Sequence, residues 1–326
     1  MPRKAFIFGN GLGMALDPQR FSLRRAMMEV WNSPHLLDEN QKNLISQTLG
    51  GDGAIPQDED QLDTLHQVVT ACKTLNKISG RDIHWLSELG QQFPYAVANY
   101  LHKVAAHLHL HTETLPEEFS SSLIEYIRRT NSHVATLNYD KLLYDAFLDA
   151  NILNGFDGSL VDGVTTLGFS PENLERRYQR NFGYYLHLHG SPLYYDEHGV
   201  TYKHQRNQLD MHSHNGSEHI VLTHVAHKKS VIAASRILST YWTYLQRALS
   251  ESTEIYLVGY SGNDSHLNEI ISLHGTNKTV KIIEWHGNFT ENEKHAYWNS
   301  KLRCQFLHYH CDNILEFNHW QNMNRT

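Results

Sequence analysis

Three stretches of this sequence end an apolar run on polar groups that could do chemistry. Asn138 and Asp140 close VATLNYD (134–140), His189 closes YYLHLHGS (184–191) just before Gly190 and Ser191, and Ser261, Asn263 and Asp264 close IYLVGYSGND (255–264). An asparagine amide can orient a water or a sugar hydroxyl, and an imidazole accepts a proton near neutral pH. Each group also has a plainer reading. Asn138 and Asp140 can cap the helix suggested by KLLYDAF, and a histidine at a strand end in a chain with 24 histidines can be a structural hydrogen-bonder. A fourth stretch, GNGLG (9–13), follows the apolar run KAFIFG (4–9) and can turn tightly with its amides toward an anion such as a pyrophosphate. Its spacing is not a strict G-x-G-x-x-G, because Leu16 stands at the third expected place, and no second strand with an acidic end follows about 20 residues later, as a dehydrogenase fingerprint requires. A tight turn without a ligand accounts for GNGLG as well.

What must position these groups is a set of strands. KAFIFG, HVATL (133–137), YYLHL (184–188), HIVLT (219–223), EIYLVG (254–259), VKIIEW (280–285) and QFLHY (305–309) are apolar runs of strand length, most separated by helical patterns. That alternation predicts an α/β fold with a Rossmann-like, doubly wound, mainly parallel sheet. In such sheets ligands bind beyond the carboxyl ends of the strands. Asn138, Asp140, His189, Ser261, Asn263 and Asp264 all lie at carboxyl ends and converge on one crevice if their strands are neighbours. Residues 19–130 carry helix-length segments without strand signatures and read as a large helical insertion, with a Thr-x-x-Glu capping box in TLPEEF (114–119). Residues 226–250 read as one helix with Ala234, Leu238, Tyr241, Trp242, Leu245 and Leu249 on its apolar stripe, and LYYDEHGVTYK (193–203) as a hairpin turning at Gly199.

The whole chain narrows the function classes. At 326 residues it can bury a large core without staples. A net charge of −7 gives no global basic footprint, so direct nucleic-acid binding is not expected. Three scattered cysteines, Cys72, Cys304 and Cys311, cannot supply a four-thiolate zinc site, and no disulfide framework is expected. No apolar run reaches the ~18 residues of a membrane span and no signal peptide is evident, so a cytoplasmic location and no membrane partner are expected.

Taken in order, GNGLG, TLNYD, LHLHGS and VGYSGND resemble the Gly-rich loop, Thr-x-Asn-x-Asp segment, His-Gly segment and Gly-x-Ser loop of the sirtuin family. The GNG start, the long helical insertion and the missing zinc cysteines are most similar to bacterial sirtuin-like (Sir2-type) proteins that degrade NAD in antiphage defence. The resemblance implies an NAD-binding domain over 1–18 and 131–326, interrupted by the insertion at 19–130. It implies a phosphate loop at Gly9, Asn10, Gly11 and Gly13, and an acidic group at Asp17, which a helix cap explains equally. Asn138 would hold the nicotinamide ribose and the attacking water, Asp140 would stand beside it, and His189 would be the general base. Gly259, Ser261 and Asn263 would meet phosphate or ribose, and Glu284 the adenosine ribose. The implied reaction is hydrolysis of NAD, as substrate, to nicotinamide and ADP-ribose without a metal. The implied partners are a homo-oligomer and a second defence component, such as an ATPase or a nucleic-acid-guided protein.

Other readings stay open. A sirtuin-type deacylase would need a zinc module that these cysteines cannot build. A non-catalytic module sensing NAD or ADP-ribose would use most of the same residues. A metal-dependent hydrolase could use His187-x-His189 or His212-x-His214. The histidines of AHLHLHTE (106–113) read as the polar side of a helix.

Overall fold

The computed structural model describes residues 2–51, 53–79, 84–212, 219–222 and 225–320. In chain order its strands are β1 (Lys4–Phe8), β2 (His133–Thr136), β3 (Leu160–Val161), β4 (Val164–Thr165), β5 (Gly168–Phe169), β6 (Gly183–His187), β7 (Tyr194–Glu197), β8 (Val200–Lys203), β9 (Glu254–Val258), β10 (Thr279–Trp285) and β11 (Phe306–Cys311). The helices are α1 (Gly11–Leu16), α2 (Leu23–Asn32), α3 (Glu39–Thr48), α4 (Glu59–Ile78), α5 (Glu88–His109), α6 (Glu117–Thr130), α7 (Leu142–Asp149), α8 (Val225–Ala234), α9 (Arg236–Glu251), α10 (Ser265–Gly275) and α11 (Glu291–Lys301). Seven strands form one sheet in the order β11-β10-β9-β1-β2-β6-β3, and every pairing in it is parallel. This is the doubly wound, Rossmann-like α/β architecture expected from the alternating runs.

The continuous apolar character of the strands follows from burial on both faces. Ala5 and Ile7 of β1 pack with Leu186, Leu257, Trp242 of α9 and Ile271 of α10. Phe6 and Phe8 face the opposite way, against Phe119, Leu123 and Ile127 of α6, Phe147 of α7 and Trp320. Each fully buried phenylalanine here contributes about 1.5–3 kcal/mol relative to exposure. A third core lies within α2–α5, where Met27, Trp31, Leu65, Phe93 and Tyr100 pack together, and Tyr139, Ile220 and Leu222 join it from beyond the sheet's carboxyl edge. Residues 19–130 contain no strand among the described residues.

Three local expectations are corrected. HIVLT is not a sheet strand. Its described residues, 219–222, cross above β6 with a single antiparallel bridge, Gly190 to Ile220, and Val221 N–H donates to His189 C=O at 2.9 Å; Thr223 lies outside the described residues. The helix expected over 226–250 is two helices, because the Ser235 hydroxyl accepts the Leu238 amide at 3.3 Å and caps a new start. Leu238, Tyr241, Trp242, Leu245 and Leu249 form the buried stripe, but Ala234 is exposed. TLPEEF makes no capping box. Pro116 occupies the N-cap, so Glu117 starts α6 rather than standing in its third position, and Glu117 and Glu118 instead complement the helix dipole. The hairpin forms, but as a two-stranded sheet of its own rather than appended to the main sheet: β7 and β8 pair antiparallel through His198 and Gly199, both at positive φ (51° and 77°), the conformation that a two-residue turn requires.

Candidate active site

The carboxyl ends of β1, β2 and β9 lie side by side, and β6 ends next to β2. The loops that leave these four strands surround a cavity of about 280 Å3. Gly9, Asn10 and Gly11 line it from β1, Asn138, Tyr139 and Asp140 from β2, His189 from β6, and Gly259, Tyr260, Ser261, Asn263 and Asp264 from β9. The helical block adds Leu23 and Leu108, and α8 adds Lys228. Groups spread over more than 250 positions of sequence therefore share one crevice, as the strand-end reading anticipated.

The floor is backbone held against backbone. Gly9 and Gly11 amides donate to the carbonyls of Val258 and Gly259, at 3.0 and 2.9 Å. Those two donors are thus spent on joining the loops, and what the glycines offer a ligand is close approach. A Cβ on either would lie 2.6 Å from the Gly259 carbonyl oxygen, which explains why both positions lack one. Asn138 is fixed to the same floor, its Nδ2 donating to Gly9 C=O at 3.1 Å, while its buried Oδ1 has no hydrogen-bond partner. Leaving such an acceptor unsatisfied costs about 1–3 kcal/mol, so it marks a place where a donor from a ligand or water is welcome.

Asp140 accepts the Leu142 amide at 3.0 Å, so the capping reading holds for it at the start of α7. Burial pushes its carboxyl up to about 6, against the opposing pull of that amide, its own amide and the Asn138 side chain. His189 Nε2 lies 3.2 Å from Asp264 Oδ2, and Lys228 Nζ reaches the same oxygen at 3.3 Å. Burial alone would raise the Asp264 carboxyl, but the His189 contact, with Lys228 and the Leu267 amide, holds it well below the usual carboxylate range. The Asp264 side chain also caps α10 through Leu267, so a helix start fixes the anion that faces the histidine. Ser261 and Asn263 are exposed at the mouth, where Tyr297 Oη donates to Ser261 C=O (2.6 Å) and Asn263 Oδ1 (3.1 Å).

Gly13, Asp17 and Glu284 are not in the lining. Gly13 lies under Phe21, whose side chain a Cβ would meet at 2.8 Å. Asp17 Oδ1 accepts the Gln19 and Arg20 amides, shaping the turn after α1. Glu284 is buried beneath α11, with bonds from Trp298, Lys294 and His308. His187 is enclosed by Tyr144, Tyr185 and Tyr194, and burial lowers its pKa to about 3, so it stays neutral and apart from the His189–Asp264 pair. His212 bonds to Asp210 through its amide, and His214 lies outside the described residues.

Lys228 is the charged lining residue that the sequence alone does not point to. A lysine in AHKKS looks like part of a solvated helix face, and nothing local signals that α8 folds over the crevice and buries it. Among the described residues, no helix is long and apolar enough to cross a membrane. Comparison with curated proteins finds no match. Comparison with protein families finds one: the SIR2-like domain, over residues 132–298, which takes in the loops after β2, β6 and β9 and begins after the Gly-rich loop.

Proposed function

The chain belongs to the SIR2-like family, and on that premise we propose that it is an NAD+ glycohydrolase, converting NAD+ and water to nicotinamide, ADP-ribose and a proton. The observation that carries this reading is the pairing, in one crevice, of an Asn138 Oδ1 with no partner and a His189 backed by an ionised Asp264.

Breaking the bond between nicotinamide and ribose leaves an oxocarbenium-like sugar, so the site must aim water at its anomeric carbon and take up a proton. Asn138 is held by Gly9 with its oxygen free to accept from that water or from a ribose hydroxyl. His189, with its Nε2 set against the ionised Asp264, takes up the proton. Asp140, which lines the crevice beside Asn138, would border the nicotinamide. Gly9, Asn10, Gly11 and Gly259 provide close backbone approach, and Ser261 and Asn263 at the mouth meet ribose or phosphate. Glu284 lies outside the crevice lining and is not assigned to the adenosine ribose. Residues 1–18 and 131–326 act as the NAD-binding domain, with 19–130 as a helical insertion walling the crevice.

Hydrolysis is favoured over deacylation because a chain with three cysteines cannot build the four-thiolate module of the deacylases. The biological setting that fits is NAD depletion in the cytoplasm during antiviral defence, by a homo-oligomer working with a second component. The test is to incubate purified protein with NAD+ and resolve products chromatographically, with and without an acetyl-lysine peptide. Nicotinamide and ADP-ribose in equal amounts support the reading. O-acetyl-ADP-ribose would show a deacylase, and ADP-ribose binding without turnover a sensing module.

A further inference from the structure

Beyond the crevice, at the outer edge of the sheet, a second cluster of ligand-type side chains joins Glu284 to two histidines that no motif singled out. His308 and His310 are two apart on β11 and leave the strand on one face. The parallel register sets His310 opposite Glu284 of β10. One nitrogen or oxygen from each of the three lies within 4.8 Å of the other two. His308 Nε2 is 2.5 Å from Glu284 Oε1, the two imidazole centroids are 3.9 Å apart, and His310 Nδ1 is buried without a hydrogen-bond partner. The His286 ring, just past β10, is 5.2 Å from that of His310.

We propose that Glu284, His308 and His310 bind a zinc ion, with water or His286 as the fourth donor. Two imidazoles and a carboxylate are a recognised zinc set, and three protein ligands leave a fourth position open. A hydrogen-bonded hub explains Glu284 and His308, but not a buried imidazole nitrogen with no partner on a ring that lies against a second imidazole. A cation shared by the rings satisfies it. His308 needs only to carry its proton on Nδ1 for Nε2 to become a ligand. The carboxylate already has outer support of the kind metal ligands use: Trp298 Nε1 donates to Oε1 at 2.9 Å and Lys294 Nζ to Oε2 at 3.0 Å. None of the three lines the crevice. The ion therefore clamps β11 to β10 and takes no part in NAD cleavage, and the proposal stands whether or not the glycohydrolase reading does.

The test is metal binding itself. Protein stripped with EDTA is titrated with zinc chloride by calorimetry, and its zinc content is measured after dialysis. The cobalt(II) form is then examined by visible absorption. A single equivalent of tightly held zinc is expected. The double variant His308→Ala/His310→Ala should bind at least about 100-fold more weakly, the upper end of what losing even an outer partner of a metal ligand costs. The exposed-histidine variant His35→Ala/His84→Ala should bind normally, which separates this site from loose binding by a histidine-rich chain. If circular dichroism shows the double variant unfolded, His310→Gln decides, since a ligand change alters the cobalt spectrum. Wild-type protein without stoichiometric zinc, or folded variants that bind as well as wild type, would overturn the proposal.

Discussion

His189 and Asp264 face each other across the crevice, Nε2 to Oδ2 at 3.2 Å, and Lys228 reaches the same oxygen at 3.3 Å. The carboxylate is thus shared between the imidazole proposed as the base, which must be neutral to accept a proton, and the Lys228 side chain. Lys228 draws off part of the field that would otherwise favour imidazolium. Lys228→Met should lower turnover at neutral pH and move the activity optimum to more alkaline solution, while Lys228→Arg keeps the wild-type profile. A pH–rate series checks this. A raised KM with an unmoved optimum would instead make Lys228 a phosphate contact.

Asn138 and His189 contribute little to packing, so their loss should cost chemistry and not the fold. Asn138→Ala and His189→Ala should each lower NAD turnover by about two to four orders of magnitude while still binding ADP-ribose. Asp264 keeps Lys228 and the Leu267 amide when His189 is removed. Unfolding of His189→Ala would make the histidine structural, and near-normal turnover would place the base elsewhere.

Asp140 should show a trade between stability and activity. Its carboxyl titrates at about 6 when folded, against an ordinary 3.8, because burial disfavours the charge. The folded state therefore holds the proton more tightly. Stability from this group is fully present below the ordinary value and is lost as pH rises through about 6. Asp140→Asn removes that loss and should stabilise the protein at pH 7 by up to about 3 kcal/mol, and much less at pH 4. Urea denaturation at the two pH values reads the difference. Turnover should fall in the same variant.

The contact between the β1 and β9 loops should be intolerant of one added methyl group. In Gly11→Ala the new Cβ meets Gly259 backbone atoms at 2.6 and 2.7 Å, and no side-chain rotation can relieve that. The loops must part, at a cost of about 1–3 kcal/mol, and ADP-ribose affinity should fall with it. Thermal denaturation and calorimetric titration test the two effects separately.

How much of this was legible depends on whether a signal is local. The sheet strands were visible because burial on both faces demands unbroken apolar runs. HIVLT has the same composition but packs between the helical block and His189, so its apolar residues satisfy two cores without joining a ladder. Ser235 divides a helix through one hydroxyl bond that an apolar stripe does not encode. Asn138, Asp140 and His189 could be picked out because each ends a strand, and the sheet order brings those ends together. Lys228 and the Glu284–His308–His310 group could not, because α8 folding over the cavity and the β10–β11 register are long-range facts.

The middle position of β1 has a consequence for how the protein is made. Residue 5 pairs with residue 133 on one side and residue 4 with residue 254 on the other. Nearly four-fifths of the chain must leave the ribosome before the first strand has both neighbours, whereas the contacts within α2–α5 can form early because they are local. Until then the apolar AFIF run of β1 has at least one open edge, the kind of segment that recruits other chains. The nascent protein thus passes through a state in which its helical block is formed while its Gly-rich loop has no β9 loop to lean on. Neither the crevice nor any activity within it can exist before β9 arrives, when synthesis is nearly complete.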